Sequence, residues 1–198
     1  PGSRGAKTRA RLMDAARGML KSASPIELTA ISVSRAAGTA PPSFYVYFAD
    51  TRDLLLALAA DASDAMKALG RHFEPPLVQT ADKRAWAEGF VQDFVATWDA
   101  HCEVLAIRNL EADRGDRAFD ELRVDSSLPV LSGLTDLILA SRPAGTRRVD
   151  VFSEAVIYYA VLERIATIER TTQPIRLQPK HYKDALSRMI ADAIRGQA

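Results

Sequence analysis

The residues with the clearest chemical capacity lie in one short run, Ser43-Phe-Tyr-Val-Tyr-Phe48. On a helix Phe44 and Phe48 are four apart and turn inward, which leaves Ser43, Tyr45 and Tyr47 facing out. A tyrosine so placed can offer its hydroxyl to a phosphate oxygen and its ring to a sugar or a thymine methyl. Tyrosines that merely pack would satisfy the same spacing. Charge distribution separates the two readings. Residues 1–48 hold seven Lys/Arg (Arg4, Lys7, Arg9, Arg11, Arg17, Lys21, Arg35) against Asp14 and Glu27, an excess of five. The net charge of the whole chain is only +1, so the remaining 150 residues carry −4. A basic head on a mildly acidic body is the balance expected when the head meets a polyanion.

The elements that must hold this run can be read from the surrounding sequence. Leu12, Met13, Ala16, Met19 and Leu20, with Ala10, give the first helix one apolar face. That helix should stop near Ser22-Ala-Ser-Pro25, because Pro25 disfavours helical geometry at the residue before it. Thr29 is placed to cap a second helix by accepting from the N–H of Ser32. Ile31, Val33, Ala36 and Ala37 are its expected buried positions. Gly38 stands where a helix ends in a left-handed residue, and Pro41-Pro42 suit the first turn of the next helix. Two helices so short cannot stand alone, because few residues repay the nucleation cost. They need the first helix before them and a long one after. Asp50 caps that long helix, expected over 51–70. A pair joined by a glycine turn commonly sets its second helix into a DNA major groove.

Thr8-Arg-Ala-Arg-Leu-Met-Asp-Ala-Ala-Arg17, the span Ile31 to Gly38, the aromatic run and Asp53-Leu-Leu55 together resemble the DNA-binding domain of TetR-family transcriptional regulators. The resemblance covers about residues 6–58 and is gapless from the first helix through Gly38 to the aromatic helix. The aromatic run is similar to that of the branch containing the actinobacterial ethionamide-resistance repressor. The resemblance implies an all-α, homodimeric protein with a helix-turn-helix domain over 6–50 and a ligand-binding and dimerisation domain over 51–198. The 51–70 helix connects them. It further implies that Thr29, Ser43, Tyr45 and Tyr47 contact phosphate or base, with Lys7, Arg9, Arg11 and Arg35 as backbone anchors. Ala40 and Pro41 replace the family's usual serine cap and the cation after it. Thr51 stands where a lysine is common, and Arg52 is the candidate in its place.

In the body, Trp86, Phe90, Phe94 and Trp98 recur at strict i,i+4 spacing over 81–100. Such a row drifts by about 40° per step. It could line an elongated tunnel or fill an ordinary aromatic core. The resemblance favours a tunnel for a small hydrophobic effector, with Phe152, Tyr159 and Leu162 as further candidates. Asn109 lies near the end of the following apolar segment, where it could orient a ligand or cap a helix end. A further helix is expected from about residue 118 to 139, irregular near Ser126-Ser-Leu-Pro129. Ala155-Val-Ile-Tyr-Tyr-Ala-Val-Leu162 is apolar on every side, so a helix there must be buried all round. Core on one side and a second subunit on the other satisfy that demand. The expected homodimer therefore uses helices near 147–170 and 180–195, joined by a proline-bearing linker over 171–179.

Composition narrows the remaining classes. With 47% apolar and 26% charged residues, the chain is ordinary for a folded soluble domain. No apolar run reaches the roughly 20 residues that span a bilayer, and no signal peptide precedes the first helix, so no membrane association and a cytoplasmic location are expected. Cys102 is the only cysteine, and His72, His101 and His181 lack metal-ligand spacing. Neighbouring His101 and Cys102 diverge on a helix and make no nucleophile pair. There is no glycine-rich phosphate loop. The expected protein is therefore not an enzyme and needs no metal or cofactor. It is a ligand-responsive repressor acting as a homodimer on a pseudo-palindromic double-stranded operator. The alternatives are a DNA-binding protein of the same fold with a filled core, and a helical apolar-ligand-binding protein with weak or lost DNA binding.

Overall fold

Every regular element among the described residues is helical, and each boundary has a local cause. The computed structural model describes residues 4–22, 28–75, 82–168 and 179–195. α1 spans Arg4–Ser22, α2 Ala30–Ala36, α3 Pro41–Phe44 and α4 Thr51–Lys67. A 3₁₀ turn, Ala68–Phe73, continues α4. α5 (Lys83–Asp113), α6 (Arg117–Ala140), α7 (Arg148–Ile168) and α8 (Pro179–Arg195) complete the chain. The segment just after α1, with Pro25, and most of the proline-bearing linker before α8 lie outside the described residues.

Two expected breaks are absent. The helix expected over 81–100 and the segment after it form one 31-residue helix, α5. The span from Ala100 to Leu105 has no glycine or proline to interrupt it, and Cys102 and Leu105 are buried along it. Pro129, expected to mark an irregularity, lies inside α6 without ending it. A proline removes one i→i−4 bond and crowds the preceding turn, which kinks many helices. Here Val130, Leu131 and Leu134 are buried just after it, and their burial favours carrying the helix through.

The chain divides into two compact units. The first takes Pro1–Ser63 with Glu103–Arg123 and the second Asp64–Cys102 with Val124–Ala198, so α4, α5 and α6 contribute to both. In the first unit Leu12, Met13, Ala16, Val33, Phe44, Phe48, Leu54 and Leu58 are buried. Arg17 pairs with Asp14 and Asp61, pinning α1 to α4. In the second, Phe90, Phe94, Trp98, Leu134, Ile138, Leu162, Leu186 and Ile190 form the core. Ion pairs of Arg142 with Glu154 and of Arg84 with Asp184 join its helices. None of the described helices is long and apolar enough to cross a membrane.

Candidate nucleic-acid interface and effector core

The head is built from the turn outward. Thr29 Oγ1 accepts from the Ser32 N–H at 3.1 Å, and Ser32 Oγ accepts from the Thr29 N–H at 2.9 Å, a reciprocal capping box that starts α2. Gly38 closes the helix at φ 63°, a left-handed value that glycine adopts without strain. Arg11, on α1, donates to the carbonyls of Ala37 and Gly38 and so satisfies the C-terminal end of α2. Pro41 and Pro42 open α3, whose N-cap position, Ala40, makes no side-chain cap.

α3 is a single turn, followed by turn geometry through residue 47. Phe44 and Phe48 are buried, with their rings 5.6 Å apart. Tyr45 is 62% exposed and Ser43 and Tyr47 are partly buried. Val46, absent from the expected contact set, is the most open of these at 74%. Its signal was available: it stands two residues from each buried phenylalanine and so off their face.

Ile31 departs from expectation, being 58% exposed where a buried position was expected. Ala36 is exposed as well. The buried face of α2 is Ala30, Val33, Ser34 and Ala37, at i, i+3, i+4 and i+7 from the first helical residue. Ile31 is about 100° from that face.

The basic side chains divide by what they touch. Lys7 and Arg35 are exposed and have no hydrogen-bond or ion-pair partner among the described residues. Arg9 donates to Met13 Sδ at 3.0 Å and lies over the Phe48 ring, 5.2 Å from its centroid. Arg52 donates to both Asp116 oxygens at 2.8 Å and covers the Phe119 ring at 5.7 Å. The hydrogen bonds and charge of Arg52 hold the Asp116 carboxyl below the usual carboxylate range. Arg9, Arg11 and Arg52 therefore hold the fold of their own unit, leaving Lys7 and Arg35 as the open cations of the expected anchors.

The aromatic row occupies the second unit. Trp86, Phe90, Phe94 and Trp98 are all at least nine-tenths buried along α5. Trp86 stacks on Phe90 at 11° and Phe94 on Trp98 at 13°, whereas Phe90 and Phe94 meet edge-on. Tyr159 approaches Phe94 edge-on at 5.6 Å, and Leu162 is fully buried. Phe73, at the end of the 3₁₀ turn, adds edge contacts to Trp86 and Phe90 at 5.5 and 5.3 Å.

Two expected ligand residues do not join this row. Phe152 is 37% exposed on α7, because the buried stripe of that helix runs through Val151, Ala155, Tyr159, Leu162 and Ala166. Asn109 belongs to the first unit, where its side-chain oxygen accepts from the Arg108 guanidinium at 3.0 and 3.1 Å. Arg108 is itself fully buried and donates to Ser63 Oγ on α4 at 3.1 Å. Sequence reasoning passed over Arg108, although a lone cation inside Val104-Leu-Ala-Ile-Arg108 is a signal for a buried polar contact. Among the described residues no cluster of three or more His, Cys, Asp or Glu could hold a metal ion.

An all-α chain with a capped helix-turn-helix and a separate aromatic core has the organisation of a helical DNA-binding regulator. The profile of the tetracyclin repressor-like C-terminal domain matches residues 78–198, and the chain belongs to the TetR family of transcriptional regulators. No curated protein sequence matches it. Its fold is similar to that of the fatty acid degradation regulator FadR from Bacillus halodurans (TM-score 0.69, 13% identity, 100% of each chain covered). It is also similar to the TetR-family transcriptional regulator PfmR from Thermus thermophilus (TM-score 0.66, 12% identity, 95% of this chain and 99% of that one). A Rhodococcus protein of unknown function gives TM-score 0.70 at 21% identity over 96% of this chain and 95% of that one.

Proposed function

We propose that the protein is a homodimeric transcriptional repressor that binds a pseudo-palindromic operator and releases it when a small hydrophobic effector enters the aromatic core. The observation that carries the DNA half is the outward surface of the head. Phe44 and Phe48 fix α3 to the core while Tyr45 and Val46 stay in solvent, and Lys7 and Arg35 remain open for phosphate. Thr29, Ser43 and Tyr47 are the supporting contacts.

The dimer is supported by an unpartnered apolar face in the second unit. Val149, Val156 and Ile157 on α7 and Met189 on α8 are 42–64% exposed, while the opposite side of each helix is buried. A second copy of the chain is the proposed occupant, through an isologous interface. Two heads would then enter successive major grooves about 34–36 Å apart. The effector acts only through unequal affinity for the DNA-competent and released arrangements of the two heads.

A gel-shift with the intergenic DNA next to the protein's own gene, at low and moderate salt, tests the reading. Binding that weakens steeply with salt is expected, since phosphate contacts release counterions. Absence of binding even at low salt would leave the second reading, an apolar-ligand-binding protein with weak or lost DNA binding. That alternative is favoured by one observation: Arg9, Arg11 and Arg52 are engaged within the fold, and Pro41 and Pro42 remove two N–H groups from the start of α3.

A further inference from the structure

Trp86 and Trp98 stand at opposite ends of the same ring row, and their indole N–H groups are treated unequally. Trp86 Nε1 donates to the His72 carbonyl at 2.9 Å. Trp98 is 2% exposed, and its Nε1 is sealed from solvent and meets no acceptor among the described residues. Its ring stacks on Phe94 with centroids 6.4 Å apart, and Phe94 in turn meets Tyr159.

A buried donor without an acceptor forfeits the hydrogen bond it makes to water in the unfolded chain. Packing alone does not call for one, since a phenylalanine also stacks and carries no N–H to bury. The N–H at position 98 is thus a cost that the packing leaves unexplained. It is met if the group is completed by something that is not part of the chain.

We propose that Trp98 Nε1 is the donor that selects the effector: a flat apolar or aromatic molecule bearing one neutral acceptor, a ketone, ester or amide oxygen. The oxygen accepts from the indole while the apolar body takes its place against Phe94. This rests on the ligand-responsive reading above and specifies its chemistry. An anionic head group suits the place poorly. Arg84 and Arg142 of the same unit are already paired with carboxylates. Glu163, one turn beyond Tyr159, brings a further carboxyl to that face of α7. A buried anion without a cation is far costlier than a buried carbonyl that accepts one hydrogen bond.

Benzophenone and diphenylmethane share two phenyl rings and differ in the carbonyl, so they isolate the acceptor. Titration calorimetry on the full chain should show wild type binding benzophenone about tenfold more tightly than diphenylmethane. Trp98→Phe should bind both with the weaker affinity, and Trp86→Phe should keep the preference. Without ligand, Trp98→Phe should melt closer to wild type than Trp86→Phe does, because only the latter strands a carbonyl. Equal binding of the two compounds by wild type, or a preference that survives Trp98→Phe, overturns the proposal and leaves the ligand-responsive reading standing. A melting loss in Trp98→Phe larger than in Trp86→Phe also overturns it, since a trapped water would then already complete the indole. If neither compound binds wild type, the effector half of the proposed function fails and this inference fails with it.

Discussion

The ring of Phe73 occupies the space that a side chain on Gly133 would need: a Cβ built there would lie 2.1–2.6 Å from three of its carbons. Gly70 repeats the relationship in reverse, its absent Cβ leaving room for Pro129 at 2.7 Å. The 3₁₀ turn after α4 is therefore seated on α6 through two missing side chains. From that seat Phe73 reaches the Trp86 end of the aromatic row.

Gly133→Ala should accordingly destabilise the protein by about 1–3 kcal/mol, the usual cost of overpacking. Phe73→Ala in the same chain should recover part of that loss, because the methyl then has somewhere to go. Urea unfolding of the two single variants and the double variant measures the coupling. Strict additivity would mean that the two residues do not compete for one space.

The open and engaged cations of the head should behave differently. Lys7→Ala and Arg35→Ala are each expected to reduce the slope of log affinity against log salt by about one, with unchanged melting. Arg11→Ala should lower stability by about 1 kcal/mol as well, since two carbonyls at the end of α2 lose their donor. Filter binding across a salt series, with thermal melts in parallel, separates the two kinds.

The Arg52–Asp116 pair gives a pH signature. Asp116 has a lowered pKa in the folded chain, so its contribution is complete above the ordinary aspartate value of about 3.9 and fades as pH falls through that value toward the lowered one. Asp116→Asn should melt below wild type at neutral pH, and the gap should close in acid. The pair is exposed, so the gap will be small. A gap that is constant from neutral pH into acid would assign it to something other than the carboxylate.

For the dimer, Ile157→Glu places a charge at a position 64% exposed on α7. Sedimentation should give a dimer for wild type and a folded monomer for the variant. A wild-type monomer at micromolar concentration would refute the proposed assembly.

Much of the head was legible because its determinants are local. The capping partners Thr29 and Ser32 are only three positions apart, Gly38 ends α2 by its own backbone freedom, and Phe44 and Phe48 share a face by spacing alone. Ile31 was misplaced because in a seven-residue helix an apolar side chain can lie one position off the buried stripe. The roles of Arg11 and Arg52 were hidden for another reason. Their partners lie 26 and 27 residues away for Arg11 and 64 for Arg52, and a basic residue reads the same whether it faces phosphate or an internal acceptor. In the body the aromatic row was plain from its period. Periodicity could not say that the helix carrying it runs on to Asp113, nor that Phe152 turns outward while Tyr159 turns in.

The chain has only two tryptophans, and both belong to the row on α5. Indole emission from this protein is consequently a report on one core, with the head contributing tyrosine alone. Trp86 and Trp98 are each stacked on a phenylalanine, and only one donates to a carbonyl. Their spectra should differ in wavelength and in quenching, so that the two ends of the row can be followed separately. The molecule carries its own optical probe at the place where its regulation is proposed to begin.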